Sequence, residues 1–192
     1  MNKLNIGCGD HPLSGWLNTD LNPCHPVIGR LDATQPFPFQ DGVFDYIFSE
    51  HMIEHVPYEG GMAMLRECFR TLKPGGKIRI STPDLNFLIR LLSVAPSQIE
   101  RDYVDWACRV LMPQLPPGPV MVLNNFMRAF GHMFIYTPEV LSAALTDCGF
   151  IGIESKALCQ SEDPELAQLE NEARLPPGFL ALETMTFEAN KP

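Results

Sequence analysis

Four short stretches of this chain carry residues suited to holding a nucleoside-like ligand. Gly7-Cys8-Gly9 lets the backbone approach a ligand closely, because glycine has no side chain and accepts positive φ. Asp20 offers two acceptors for the hydroxyls of a ribose. Asp32 offers one to an exocyclic amine, and Ala33 beside it presents a backbone N–H. Ser49, Glu50 and His51 form a compact polar group that would face whatever is bound. Taken singly, a Gly-x-Gly is a tight turn and an aspartate after a strand is a helix cap. Their order and spacing together point to one crevice. Histidine is the natural base near neutral pH, which singles out His51 and, four residues on, His55. On a helical turn the two would share a face, with Glu54 as a third option.

The elements that must position these residues can be read from hydropathy. Leu4-Asn5-Ile6 is a short strand ending at the glycine loop. Trp16 to Thr19 alternates as a second strand ending at Asp20, and Val27 to Leu31 is a third ending at Asp32. Val43 to Phe48 is a buried strand that delivers Ser49, Glu50 and His51. Between Gly61 and Leu72 the period changes: Leu65, Cys68, Phe69 and Leu72 fall at i, i+3, i+4 and i+7, one apolar helix face. Met62 and Met64 belong to this helix and the core. Lys73-Pro74-Gly75-Gly76 stops the helix, and Lys77 to Thr82 alternates as a strand. Strands alternating with helices and turns mean an α/β sheet with parallel strands. In such sheets ligands bind beyond the carboxyl ends of the strands, where the residues above lie.

The region of about 85–130 is helical and proline-interrupted, longer than a normal crossover. It reads as an insert over the sheet edge, either a substrate lid or a structural cap. Thr137-Pro138-Glu139 opens a second clear helix that ends at Gly149. Phe150 to Ser155 and Thr184 to Ala189 form a terminal strand pair, and Gln160 to Arg174 reads as an acidic helix between them. The expected architecture is therefore one α/β, Rossmann-like domain over 1–192, with a mainly parallel sheet, an antiparallel C-terminal pair and the helical insert.

Composition narrows the partners. The chain has 192 residues, 45% hydrophobic and 19% charged, as expected of one globular domain. Its formal charge of -9 disfavours a phosphate backbone as partner and leaves a small molecule as the expected substrate. No apolar run is long enough for a membrane helix and no secretory signal opens the sequence, so no membrane partner and a cytoplasmic location are expected. The six cysteines are scattered without a C-x-x-C pair and read as reduced thiols. Cys24 and His25 are adjacent and diverge, so no metal site is expected. Oligomeric state is not written in the sequence.

With these residues in hand, the stretch from Leu4 to Asp84 resembles the class I S-adenosylmethionine-dependent methyltransferases, in particular a branch with a shortened first crossover. Leu4-Asn5-Ile6-Gly7-Cys8-Gly9 is similar to their glycine-rich first motif, and Gly15 to Asp20 to their second strand. Leu31-Asp32-Ala33 followed by Pro36-Phe37-Pro38-Phe39 resembles the adenine motif. Phe44-Asp45-Tyr46-Ile47 with Glu54-His55-Val56, then Leu72-Lys73-Pro74-Gly75-Gly76, resemble the fourth strand and the turn after its helix. His132 to Tyr136 and Cys148-Gly149-Phe150 are similar to later landmarks. The resemblance implies S-adenosyl-L-methionine as cofactor. Gly7, Cys8 and Gly9 would line its methionine and ribose, Asp20 would hold the ribose and Leu21 would pack on the adenine. Asp32 and Ala33 would read the adenine, and Ser49 and Glu50 would border the methionine portion. Two positions depart from the pattern: Asn5 stands where the family has an acid, and Asp10-His11-Pro12 where a third glycine is usual.

Methyl transfer needs an acceptor aligned with the sulfonium and, for a hydroxyl, a base. His51 and His55 are the catalytic candidates, and His132, Tyr136, Asn124 and Asn125 the candidates for contact with a polar acceptor. Some relatives of this branch resemble enzymes acting on sugars or polysaccharide precursors, which makes O-methylation the preferred reaction. A non-catalytic cofactor-binding or protein-interaction module on the same fold is the alternative, and aminopropyl transfer from the decarboxylated cofactor a third. A nicotinamide dinucleotide is disfavoured because Pro12 replaces the third glycine of its fingerprint.

Overall fold

Consecutive side chains on a strand point to opposite faces, and this period sorts the sheet into two unlike surfaces. The computed structural model describes residues 1–192. Its seven strands are β1 (Lys3–Ile6), β2 (Leu17–Asp20), β3 (Gly29–Arg30), β4 (Phe44–Glu50), β5 (Leu72–Pro83), β6 (Ile151–Lys156) and β7 (Thr184–Asn190). They form one sheet in the order β3-β2-β1-β4-β5-β7-β6. The first five strands are parallel, and β7 runs antiparallel to both β5 and β6. This is the Rossmann-like sheet with an antiparallel terminal pair that the sequence predicts.

On one face, register aligns Leu4, Ile47, Ile78 and Ala189 across four strands. All four are buried in the main core with α1 (Tyr58–Thr71) and α5 (Pro138–Asp147). Helix α1 buries Met62, Met64, Leu65 and Cys68. It begins three residues earlier than its apolar period suggests, directly after Pro57. Helix α5 starts as read: the Thr137 hydroxyl accepts from the Val140 N–H and Pro138 occupies the first turn.

The opposite face aligns Asn5, Phe48, Arg79 and Glu188. In a doubly wound sheet this face is covered by the helix after β1. Here no helix forms between Ile6 and Leu17. The segment of residues 157–178, between β6 and β7, covers the face instead. Leu166 and Leu169 pack on Phe48, with Leu13, Trp16 and Tyr46 around them. Glu170 accepts from Arg79 Nε at 2.6 Å and Nη2 at 3.0 Å, and from the Ser81 hydroxyl at 2.6 Å. Glu188 accepts from Arg79 Nη1 at 2.6 Å.

The segment is not the acidic helix expected over Gln160 to Arg174. It holds turns and one 3-10 turn, Glu172–Arg174. Cys159 and Gln168 take positive φ, which a continuous helix forbids. Its residues are placed by what they reach in the sheet, not by a local period.

The insert consists of α2 (Leu85–Arg90), α3 (Gln98–Val110) and α4 (Pro119–Arg128). A capping box of Ser97 and Glu100 starts α3. These helices share a second core built on Phe87, Tyr103, Met112 and Phe126, joined by Phe179 of α6 (Phe179–Glu183). They stand over the carboxyl end of β4.

Candidate active site

The glycine loop is folded by its own backbone and one carboxylate. Gly7 and Cys8 both donate to the Thr19 carbonyl, at 2.8 and 3.0 Å. Gly9 donates to Asp20 Oδ2 at 3.0 Å, and Asn22 donates to Asp20 Oδ1 at 2.8 Å. Asp20 therefore shapes the loop, while each oxygen keeps a second lone pair for a diol. Gly7 has φ +70°, and a Cβ there would lie 2.2 Å from Met52 Cγ. The position requires glycine. Burial and the nearby Asp20 push the Cys8 thiol up to about 11, so it is no nucleophile at neutral pH.

The departure at Asn5 has a structural reason. Asn5 Nδ2 donates to Asn18 Oδ1 at 3.0 Å, and Asn18 also bonds the Leu13 and Trp16 backbone. The asparagine pair braces the short crossover, a task that an acid at position 5 would not share without a donor.

Leu21 is exposed beside Asp20, leaving its side chain open to a flat ring. Asp32 Oδ1 accepts both the Thr34 N–H and its hydroxyl, and these bonds hold the carboxyl below the usual carboxylate range. Oδ2 remains for a ligand amine. Ala33 is buried in the core. Ser49 turns inward: it is buried and its hydroxyl donates to the Ile6 carbonyl at 3.1 Å. Its side chain serves the sheet. Glu50 accepts from the Asn171 N–H at 3.2 Å, so the covering segment closes over the end of β4.

Two cavities meet here. A small one of about 150 Å³ is lined by the glycine loop, Asn5, Glu50, His51 and the covering segment's Asn171 and Arg174. A larger one of about 550 Å³ lies under the insert and is lined by His51, Glu54, His55, His132 and four aromatic residues, Tyr103, Trp106, Phe126 and Phe130. Asp10, His51 and Arg174 border both. The larger volume is that of a small-molecule site.

His51 takes φ 45° as it leaves β4, its N–H held by the Ser81 carbonyl. Its Nε2 lies 2.8 Å from the Thr184 hydroxyl and its Nδ1 3.3 Å from Glu54 Oε1. The Glu54 carbonyl accepts from the N–H groups of Met133 and Phe134, which pins the end of the insert to the β4 exit. This brings the rings of His55 and His132 to 4.9 Å between centroids. Glu183 also lines the large cavity; it accepts from the Tyr103 hydroxyl, and its own burial pushes its carboxyl up.

The larger cavity brings together His51, His55 and His132. Tyr136 and Asn125 are corrections. Tyr136 is fully buried, packed between Tyr58 and Phe134, with its hydroxyl over Gly61. It is core, not acceptor surface. Asn125 does not line the cavity; Phe126, its neighbour on α4, does. Asn124 bonds back to the Val120 carbonyl. Trp106, Arg174 and Glu183 were missed, because nothing local in sequence ties the insert or the covering segment to the end of β4.

Residues 4–80 match the family model described as a methyltransferase domain. Over that stretch, about two fifths of the chain, the sequence is similar to methyltransferase domains. The cofactor of such domains is S-adenosyl-L-methionine. No curated protein matches the chain in sequence. Solved structures share the methyltransferase fold across nearly all of it. A SAM-dependent methyltransferase from Archaeoglobus fulgidus aligns with TM-score 0.60 and 16% identity, over 99% of this chain and 86% of the other. One from Mesorhizobium loti gives 0.53 and 20%, over 98% and 90%. Phosphoethanolamine N-methyltransferase 2 from Haemonchus contortus, solved with S-adenosyl-L-methionine, gives 0.54 and 18%; this chain spans 49% of it. No helix of the protein is long and apolar enough to cross a membrane.

Proposed function

We propose that the chain transfers the methyl group of S-adenosyl-L-methionine to a small polar acceptor held under the insert, with a hydroxyl as the preferred target. The observation that carries this reading is the junction of the two cavities at Asp10, His51 and Arg174. A methyl group delivered from the glycine-loop side would enter the larger cavity there.

In this reading Asp20 and Leu21 hold the ribose and adenine, Asp32 Oδ2 takes the adenine amine, and Gly7, Cys8, Gly9 and Glu50 surround the methionine end. The sulfonium supplies the electrophilic methyl when bound. The chain's own task is alignment and proton uptake. His51 is the base: its Nε2 would exchange its 2.8 Å contact with the Thr184 hydroxyl for the acceptor proton, and the Glu54 carboxylate 3.3 Å from Nδ1 would stabilise the imidazolium so formed. His55 and His132 border the acceptor. The insert excludes water as a lid. Six unpaired thiols support a reducing, cytoplasmic location.

Calorimetry with S-adenosylmethionine and S-adenosylhomocysteine tests the pocket, wild type beside Asp20→Ala and Asp32→Ala. Micromolar binding lost in both variants supports it, and a screen of hydroxyl acceptors with His51→Ala then tests transfer. A folded wild type that binds neither ligand reduces the reading to a shared fold and favours a non-catalytic module.

A further inference from the structure

Glu54 is more elaborately surrounded than the partner of a base requires. Its side chain is fully buried, and Oε2 accepts from the Thr82 hydroxyl at 2.9 Å. Oε1 accepts no hydrogen bond, the His51 Nδ1 contact being poorly aligned. Leaving a buried carboxylate oxygen without a donor is costly unless a cation faces it.

Two imidazoles stand beside that carboxylate. His55 Nε2 is 4.0 Å from Oε1, and the His55 ring is 39% exposed. His132 Nδ1 lies 2.7 Å from the Phe126 carbonyl. A carbonyl only accepts, so Nδ1 carries the proton and Nε2 is left with a lone pair. Anchoring one imidazole nitrogen on a backbone carbonyl is how proteins orient a metal-binding histidine. One ligand atom from each of Glu54, His55 and His132 lies within 4.8 Å of the others.

We propose that Glu54, His55 and His132 form a binding site for a divalent transition-metal ion of the zinc class on the floor of the larger cavity. Two imidazoles and a carboxylate are a borderline-soft donor set suited to Zn²⁺ or Co²⁺, with a remaining position open to the cavity. Bonds of about 2.0–2.1 Å place tetrahedral ligand atoms roughly 3.4 Å apart, so the donors must draw together. The half-exposed His55 ring is free to make that movement. The expectation of no metal came from cysteine spacing, and none of these ligands is a cysteine.

The site does not depend on the methyl-transfer reading, and neither does its test. The full chain, treated with chelator and without cofactor, is titrated with zinc chloride by calorimetry, and with cobalt chloride by visible absorption. One equivalent of saturable zinc and the intense d–d bands of a four- or five-coordinate cobalt ion are expected. His55→Gln and His132→Gln should each weaken zinc binding by roughly 100-fold or more, beyond the 10–100-fold typical of outer-shell changes. Both variants should keep the wild-type circular dichroism and thermal midpoint in the metal-free form. Absence of saturable uptake by the folded wild type overturns the proposal. So does uptake unchanged in both variants, which would locate the ion elsewhere, for example at the exposed Cys24 beside His25.

Discussion

Single residues in the site do two kinds of work, and substitutions separate them. Asp20 builds the glycine loop and, in the proposed function, also holds the ribose. Asp20→Asn keeps the shape but turns an amide N–H₂ toward the Gly9 or Asn22 N–H. S-adenosylhomocysteine affinity should fall at least tenfold by calorimetry, about 1.4 kcal/mol. Tyr136 belongs to the other kind. Its buried hydroxyl has no hydrogen-bond partner. Tyr136→Phe removes an unsatisfied polar atom, so stability in urea should stay level or rise by about 1 kcal/mol. A clear loss of stability there would show that the hydroxyl has a partner in solution. Gly7→Ala is expected to go the other way, because both its φ and the Met52 side chain oppose a Cβ. A cost of about 1–3 kcal/mol should appear in the same experiment.

The covering segment closes the polar face of the sheet. It replaces a crossover helix by side chains that reach into a polar sheet face. The Arg79–Glu170 pair carries no exposed side-chain surface, and breaking it leaves an uncompensated buried charge. Glu170→Ala should cost about 3 kcal/mol, the low end of such losses, since Glu188 remains beside Arg79. Acid should act on the same pair. Burial opposes Glu170 ionisation, but the Arg79 guanidinium and Ser81 hydroxyl outweigh it and hold the carboxyl below its usual range. A depressed folded pKa means that the stabilisation is full above the unfolded value of about 4.3 and is lost as pH falls through the lower folded value. Stability measured from pH 7 to pH 3 should therefore drop more steeply below about 4 in wild type than in Glu170→Ala.

At the scale of the whole molecule, the sheet ends, the covering segment and the insert converge on one opening. Thiol chemistry can report on it. Of six free cysteines only Cys24 is exposed, and its sulfur lies 3.4 Å from the Gly9 carbonyl. A native-state thiol titration should consume one equivalent at once, and S-adenosylhomocysteine should slow that reaction. Rapid reaction of several thiols would mean that the covering segment or the insert opens readily.

Much of this was legible before folding. The ends of β1, β2 and β4, the α1 and α5 helices and the terminal strand pair follow from local period and punctuation, and these signals need only neighbours in sequence. The glycine loop, Asp20 and Asp32 stand out as candidates for the same reason, since each lies at or just after a strand end. Residues 160–174 were misread as a helix because their acidic pattern was judged locally, whereas Leu166, Leu169 and Glu170 answer to Phe48 and Arg79 far away in the chain. Tyr136 and Asn125 were misplaced because a polar atom near a landmark does not reveal which way its side chain turns.

The sequence by itself determined the fold class and the strand ends that carry the candidate site, because hydrophobic period and glycine or proline breaks are short-range properties of the chain. Only the tertiary structure decided what covers the polar face and which histidines meet Glu54. Those arrangements depend on pairing a buried charge or an imidazole with partners roughly eighty to a hundred residues away, as in Arg79 with Glu170 and His55 with His132.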